Sequence, residues 1–192
     1  MKTPTRVFLV GTSHAYQFGE GVVFGGTTCT PEIAIQFRQY LADVRNLHGI
    51  RAFAEEMSLD ALAKMELTIS LPKLVADEQH LVLHRYCDPT DQEKAQLRIR
   101  QDNDIRFEHI SDGWTQEQIE ADVLARGSVP SDRIREQFWL QRIQELDVWP
   151  LLFICGADHF NSFAALLRAG RIDVVEADPD WKPTPNRGYG ES

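Results

Sequence analysis

Cysteine is scarce in this chain, with three residues (Cys29, Cys87 and Cys155) in 192. The number is odd and the spacing wide, which excludes a disulfide framework, and no CxxC pair suggests a structural zinc. Long apolar runs are also missing. The N-terminal run, Val7 to Val10, is too short for a signal peptide, and no segment approaches the roughly 20 apolar residues of a membrane-spanning helix. Basic residues are in deficit, 20 against 29 acidic ones, for a net charge of -9. A groove that tracks nucleic-acid phosphates needs clustered Lys and Arg, so this balance argues against a nucleic-acid partner. Neither a long linker nor a low-complexity block divides the chain. The expectation is a cytoplasmic protein with no membrane partner.

What is present is an ordinary globular composition, 43% hydrophobic and 26% charged, at a length that buries a full core in one domain. Apolar runs at Arg6–Val10, Ile50–Glu56, Leu81–Cys87, Leu151–Cys155 and Ile172–Glu176 read as strands. Helical stretches alternate with them. One begins at the Thr30-Pro31 cap and carries Ile33, Phe37, Tyr40, Leu41 and Val44 on one face. Others follow Ser58, the charged stretch 90–112, the capping box at Thr115 and Gln118, Ser131, and Asp158. Alternating strands and helices predict an α/β domain with a mainly parallel central sheet flanked by helices, over residues 1–176. Gly19 to Thr30 reads as a mobile loop, and 177–192, rich in Pro, Gly and Asp, as a flexible C-terminal tail.

One pattern occurs twice. Val7 to His14 (VFLVGTSH) and Leu151 to His159 (LLFICGADH) each place a histidine three residues after a strand-terminal glycine. Glycine permits a tight exit from the strand, and the histidine is thrown over the carboxyl edge of the sheet, where α/β proteins bind ligands. Two further strands end in acid, at Glu55-Glu56 and at Asp88. Adjacent strand residues face opposite ways, so only one of the two glutamates lines the site. Asp88 before Pro89 reads equally as a site residue or as a turn opener. Two imidazoles with one or two carboxylates suit a divalent metal (Mn, Zn, Fe or Co) that activates a bound water. Without metal, the same groups form a histidine base oriented by a carboxylate. Taken singly, His14 is a loop histidine and His159 a first-turn helix residue. Arg135, Trp139 and Arg142 share a helical face with Arg133 and Glu136 nearby. That face either aims arginine at an anion or is a solvated surface with tryptophan at its edge. His80, His84 and His109 lack such a context and read as structural or surface, Cys155 reads as packed, and Ser13 is not expected to be a nucleophile.

VFLVGTSH, AFAEEM, RIREQFWLQRI and LLFICGADHFNSFAALLRAG, in this order, resemble the TraB/Tiki-like group of the erythromycin esterase-like/ChaN-like superfamily. The resemblance covers both ends and part of the middle; residues 57–128 carry none of its motifs. It implies that His14 and His159 face one cavity with Glu56, and that Arg135 closes it. Glu56 is preferred to Glu55 because Met57 sits like the apolar residue that follows the family's acid. Tiki members are regarded as metal-dependent proteases, erythromycin esterases as hydrolases using a histidine-activated water, and ChaN-like members as haem binders. Asp88 lies outside the motif and rests on strand placement. The expectation is a metal-assisted hydrolase of an ester, amide or similar bond in a small-molecule or peptide substrate. His14, Glu56 and His159 would hold or flank the divalent ion, Asp88 would orient a ligand or act as base, and Arg135 would stabilise the oxyanion. The alternatives are a non-catalytic ligand-binding or sensing protein on the same scaffold, with haem as one ligand, and a protein interface built from the same polar residues.

Overall fold

A computed structural model describes residues 5–81, 83–126 and 130–184. Strands β1 (Arg6–Thr12), β4 (Ala52–Glu55), β5 (Leu83–Tyr86), β6 (Leu151–Gly156) and β7 (Asp173–Trp181) form one sheet in the order β5-β4-β6-β1-β7. Every pairing in it is parallel. β1, β4 and β6 are continuously apolar over 7–10, 52–54 and 151–155 because both faces are covered there, as parallel sheets require. Val7, Leu9, Ala52, Ala54, Leu151 and Phe153 pack on one side with Trp139 and Phe163. Phe8, Val10, Phe53, Leu152 and Ile154 pack on the other with Phe37, Leu41 and Val75. The two-residue alternation thus divides one sheet between two helical layers.

Helices α2 (Pro31–His48) and α4 (Leu71–Glu78) cover the second side; α7 (Asp132–Leu146) and α8 (Phe160–Ala169) cover the first. Thr30 caps α2 through Ile33 N and Gly49 ends it in a left-handed turn at φ 60°, the pattern the sequence predicts. Short α1 (His14–Phe18) follows β1, and α3 (Leu59–Lys64) follows β4. α5 (Asp91–Ser111) and α6 (Gln116–Ala125) both open with complete capping boxes, at Thr90 and Thr115. The Gly127 stop expected for α6 lies outside the described residues. Among those described, no helix is long and apolar enough to cross a membrane.

The structure adds α1 and α4 to the elements the sequence predicts, and it differs from the sequence reading in two further segments. Gly19 to Thr30 contains a two-stranded hairpin, β2 (Val23–Phe24) against β3 (Thr27–Thr28). Gly25 and Gly26 form its turn at φ 57° and 79°, the left-handed pair a two-residue hairpin needs. The last strand does not stop at Glu176. It runs to Trp181, so the tail expected from 177 starts too early; residues 185–192 lie outside the description. Register shifts against β1 near Leu9 and Val10 let Asp178 and Pro179 pass through an edge strand, where proline is tolerated. Trp181 then packs into the core at 7% exposure.

Candidate active site

The sheet order decides what meets at the carboxyl edge. β6 lies between β1 and β4, so the three residue runs following these strands are neighbours, one strand spacing apart. After β1, Ser13 caps α1 by accepting from Ala15 N, which leaves His14 as the first helical residue. After β4, the Glu56 N–H still donates to Ile154 O at 2.8 Å. After β6, one 3-10 turn, Ala157–His159, brings the second histidine over the edge. His14 Nε2 lies 3.4 Å and His159 Nε2 3.5 Å from the same oxygen, Glu56 Oε1. The other oxygen, Oε2, accepts the Gly156 N–H at 2.8 Å.

The two glycines of the repeated pattern are needed for space, and for different reasons. A Cβ on Gly156 would lie 2.7 Å from His14 Cε1 and 3.3 Å from Glu56 Oε2. A Cβ on Gly11 would lie 2.1 Å from the carbonyl oxygen of Pro179, the edge strand's backbone. One glycine makes room for the site and the other for the sheet.

Helix α7 supplies a second layer. Arg135 Nη2 donates to Glu56 Oε1 and to Asp88 Oδ1, both at 2.8 Å, and its Nε reaches the same Asp88 oxygen at 3.1 Å. Trp139 Nε1 also donates to Asp88 Oδ1, at 3.2 Å, and Lys94 Nζ pairs with Oδ2 at 2.7 Å. Asp88 therefore holds the arginine, with both oxygens engaged, and is poorly placed to act as a base. The guanidinium also lies over the Trp139 ring, 5.4 Å from its centroid. Trp139 is fully buried, not at a solvated edge. Arg142 leaves this group and pairs with Glu93. Glu136, which the sequence placed beside Arg135 without a role, accepts from His159 Nδ1 at 2.9 Å and from Ser162 Oγ at 2.5 Å. A carboxylate on Nδ1 sets the ring orientation and, in the neutral ring, leaves Nε2 as acceptor on the site side.

Burial alone would lower the pKa of His14, but the hydrogen bond and charge of Glu56 outweigh it and hold the imidazole above its ordinary value. For Glu56, burial alone would raise the pKa; His14, His159 and Arg135 together hold it below the usual carboxylate value. The site therefore carries an ionised glutamate and a histidine biased toward the charged form.

Glu55 faces the opposite side of β4, as strand alternation requires. Its Oε1 accepts from Ser70 Oγ and meets His84 Nε2 at 2.7 Å, all in the buried layer beneath the edge. His84 is structural, as expected. Cys155 is fully buried with its thiol pKa pushed up by that burial, and is a packed residue. Lys94 and Ser162 carried no signal in the sequence, since each is an isolated polar residue on a helix.

A cleft of about 440 Å³ opens on the β1 side of His14. Phe24, at the tip of the hairpin, forms its wall against the His14 ring at a centroid distance of 5.5 Å. Asp158, Asp180 and Lys182, all exposed, line it as well, together with buried Trp181. A groove of about 470 Å³ between α5 and α7 reaches none of His14, Glu56, Asp88, Arg135 and His159.

Two separations around Glu56 Oε1, 3.4 and 3.5 Å, match the spacing of about 3.4 Å between ligands of a tetrahedral ion with bonds of roughly 2.1 Å. Arg135, however, already donates to that oxygen. Among the described residues no three His, Cys, Asp or Glu side chains are arranged to hold a metal ion. A metal shared by the two imidazoles and this oxygen would have to displace Arg135 from it. Compared with protein-family models, curated proteins and solved structures, the chain gives no match.

Proposed function

We propose that this chain is a hydrolase of an ester, amide or similar bond, working by histidine acid–base chemistry around Glu56. The observation that carries the reading is the pair of imidazoles flanking one oxygen of a buried, arginine-held glutamate. His159, oriented through Nδ1 by Glu136, takes a proton from water through Nε2, and the water oxygen attacks the substrate's carbonyl carbon. The resulting oxyanion is stabilised by Arg135. Its Nη2 and Nε are occupied by Glu56 and Asp88, whereas Nη1 makes only a 3.4 Å contact with exposed Asp132. Nη1 is thus the nitrogen with donors to spare. Collapse of the intermediate expels the leaving group, which takes its proton from His14. Glu56 lies between the two rings and stabilises whichever is charged.

The metal-assisted form of this reaction rests on the two near-tetrahedral separations and requires Arg135 to release Oε1. Hydrolysis of 4-nitrophenyl esters and anilides separates the readings. The expected result is turnover by the metal-free, chelator-treated protein, reduced at least about 100-fold in both His14→Ala and His159→Ala. Near-stoichiometric metal by ICP-MS, lost in His14→Ala together with activity, would establish the metal-assisted form instead. Saturable ligand binding without turnover would replace the hydrolase by a sensing protein, and a Soret band on adding haem would identify that ligand.

A further inference from the structure

The reaction centre accounts for the groups around Glu56 but leaves the cleft beside His14 without a role. Its volume of about 440 Å³ falls in the range of small-molecule sites, roughly 300–1,000 Å³. Three features define its chemistry. Phe24 is 45% exposed at the hairpin tip, held against His14 on one side and Phe18 on the other. An aromatic side chain kept in solvent beside a titratable group offers a flat apolar face to a ligand.

The charge on the lining is the second feature. Lys182 pairs with Asp180 at 2.7 Å, which neutralises both. Asp158 is exposed in the lining and, among the described residues, makes no ion pair. His14 and Glu56 compensate one another at the inner end. The remaining charge on the lining is therefore the single negative one of Asp158. The third feature is position. Asp158 and Phe24 both line the cleft and Phe24 touches His14, so a molecule lying there reaches the His14 imidazole.

Resting on the hydrolase reading, we infer that this cleft is the substrate subsite, and that it takes a compact substrate whose non-reacting part has an apolar, preferably aromatic, face on Phe24 and a cationic group, such as a substituted ammonium, at Asp158. Anionic substrates are disfavoured by the same carboxylate. Phe24 and Asp158 are then specificity residues, and the proton transfers stay with the histidines.

Two rigid probes of similar shape and opposite charge test this on the full chain, phenyltrimethylammonium and benzenesulfonate, titrated by ligand-observed NMR. The cation should bind roughly three- to tenfold more tightly, the range of a single exposed charge pair with a cation–π contact. Asp158→Asn should abolish the preference, and Phe24→Ala should weaken both probes. Both positions are exposed, so circular dichroism should show folded variants. Equal binding, a preference for the sulfonate, no binding of either probe, or indifference to both substitutions overturns the inference. Hydrolysis of 4-(trimethylammonio)phenyl acetate distinguishes it from the reading beneath. Charge-selective binding that depends on Asp158, with no turnover, removes the hydrolase and keeps the cleft as a cation site. Turnover without charge selectivity keeps the hydrolase and removes the assignment of the cleft.

Discussion

Glu56 is the residue on which the site depends, because one buried carboxylate satisfies a guanidinium, a backbone N–H and two imidazoles. Its pairing with His14 links stability to pH in a definite direction. The raised pKa of His14 contributes stability that is complete below the ordinary value of 6.5 and is lost as pH rises through the higher folded value. The lowered pKa of Glu56 contributes above 4.5 and is lost as pH falls through the lower folded value. Both contributions coexist between those two ordinary values. The urea midpoint should therefore fall as the pH rises above 6.5. Glu56→Gln should flatten this dependence, with a stability loss that shrinks at low pH, where the native carboxylate is itself protonated. A midpoint that rises with pH in that upper range would contradict the assignment of the pair. Gly156→Ala tests the site from another side. The added methyl meets the far end of His14, a partly exposed ring that can swing away. Ester hydrolysis should fall by about tenfold or more, with loss of stability no greater than about 1–3 kcal/mol. Unchanged activity would mean that the position of His14 does not matter.

Helix α7 is the element that organises the site, since Arg135, Glu136 and Trp139 project from one stretch of it to Glu56, His159 and Asp88. Trp139→Phe keeps most of the buried volume but removes the indole donor to Asp88. It should cost about 1–3 kcal/mol in denaturant unfolding, the penalty for depleting a buried acceptor plus a small cavity. Activity should also fall, because the arginine shelf loses one of its fixings. A fully stable and active variant would show that the indole bond contributes nothing. Elements of this kind were partly legible in the sequence. β1 and β6 could be read because strands buried on both faces are continuously apolar, and α2 because its caps and its stripe agree. β7 extends beyond what the sequence suggests because an edge strand carries Asp and Pro, which look like a tail when the pairing is unseen. The hairpin was missed because two-residue strands have no periodicity, although Gly25-Gly26 was its visible turn.

At the scale of the molecule, the histidines and Glu56 were legible because chain order in an α/β fold leads every strand to the same edge. The choice of Glu56 over Glu55 agrees with the alternation along β4. The roles of Asp88, Lys94 and Glu136 were not legible, since they depend on which helix lies over which strand. Sequence spacing does not contain that information. Strands β1 and β4 are not partners; the slot between them is filled by β6, which comes about a hundred residues after β4. During synthesis, the first histidine and the glutamate emerge early and wait, with the central gap open, until residues 151–156 arrive. Assembly of the carboxyl edge that carries the site is therefore a late, long-range event, favouring slow folding. A nascent chain ending before β6 would carry His14, Glu56 and Arg135 but neither His159 nor the strand that seats β1 beside β4 in one sheet.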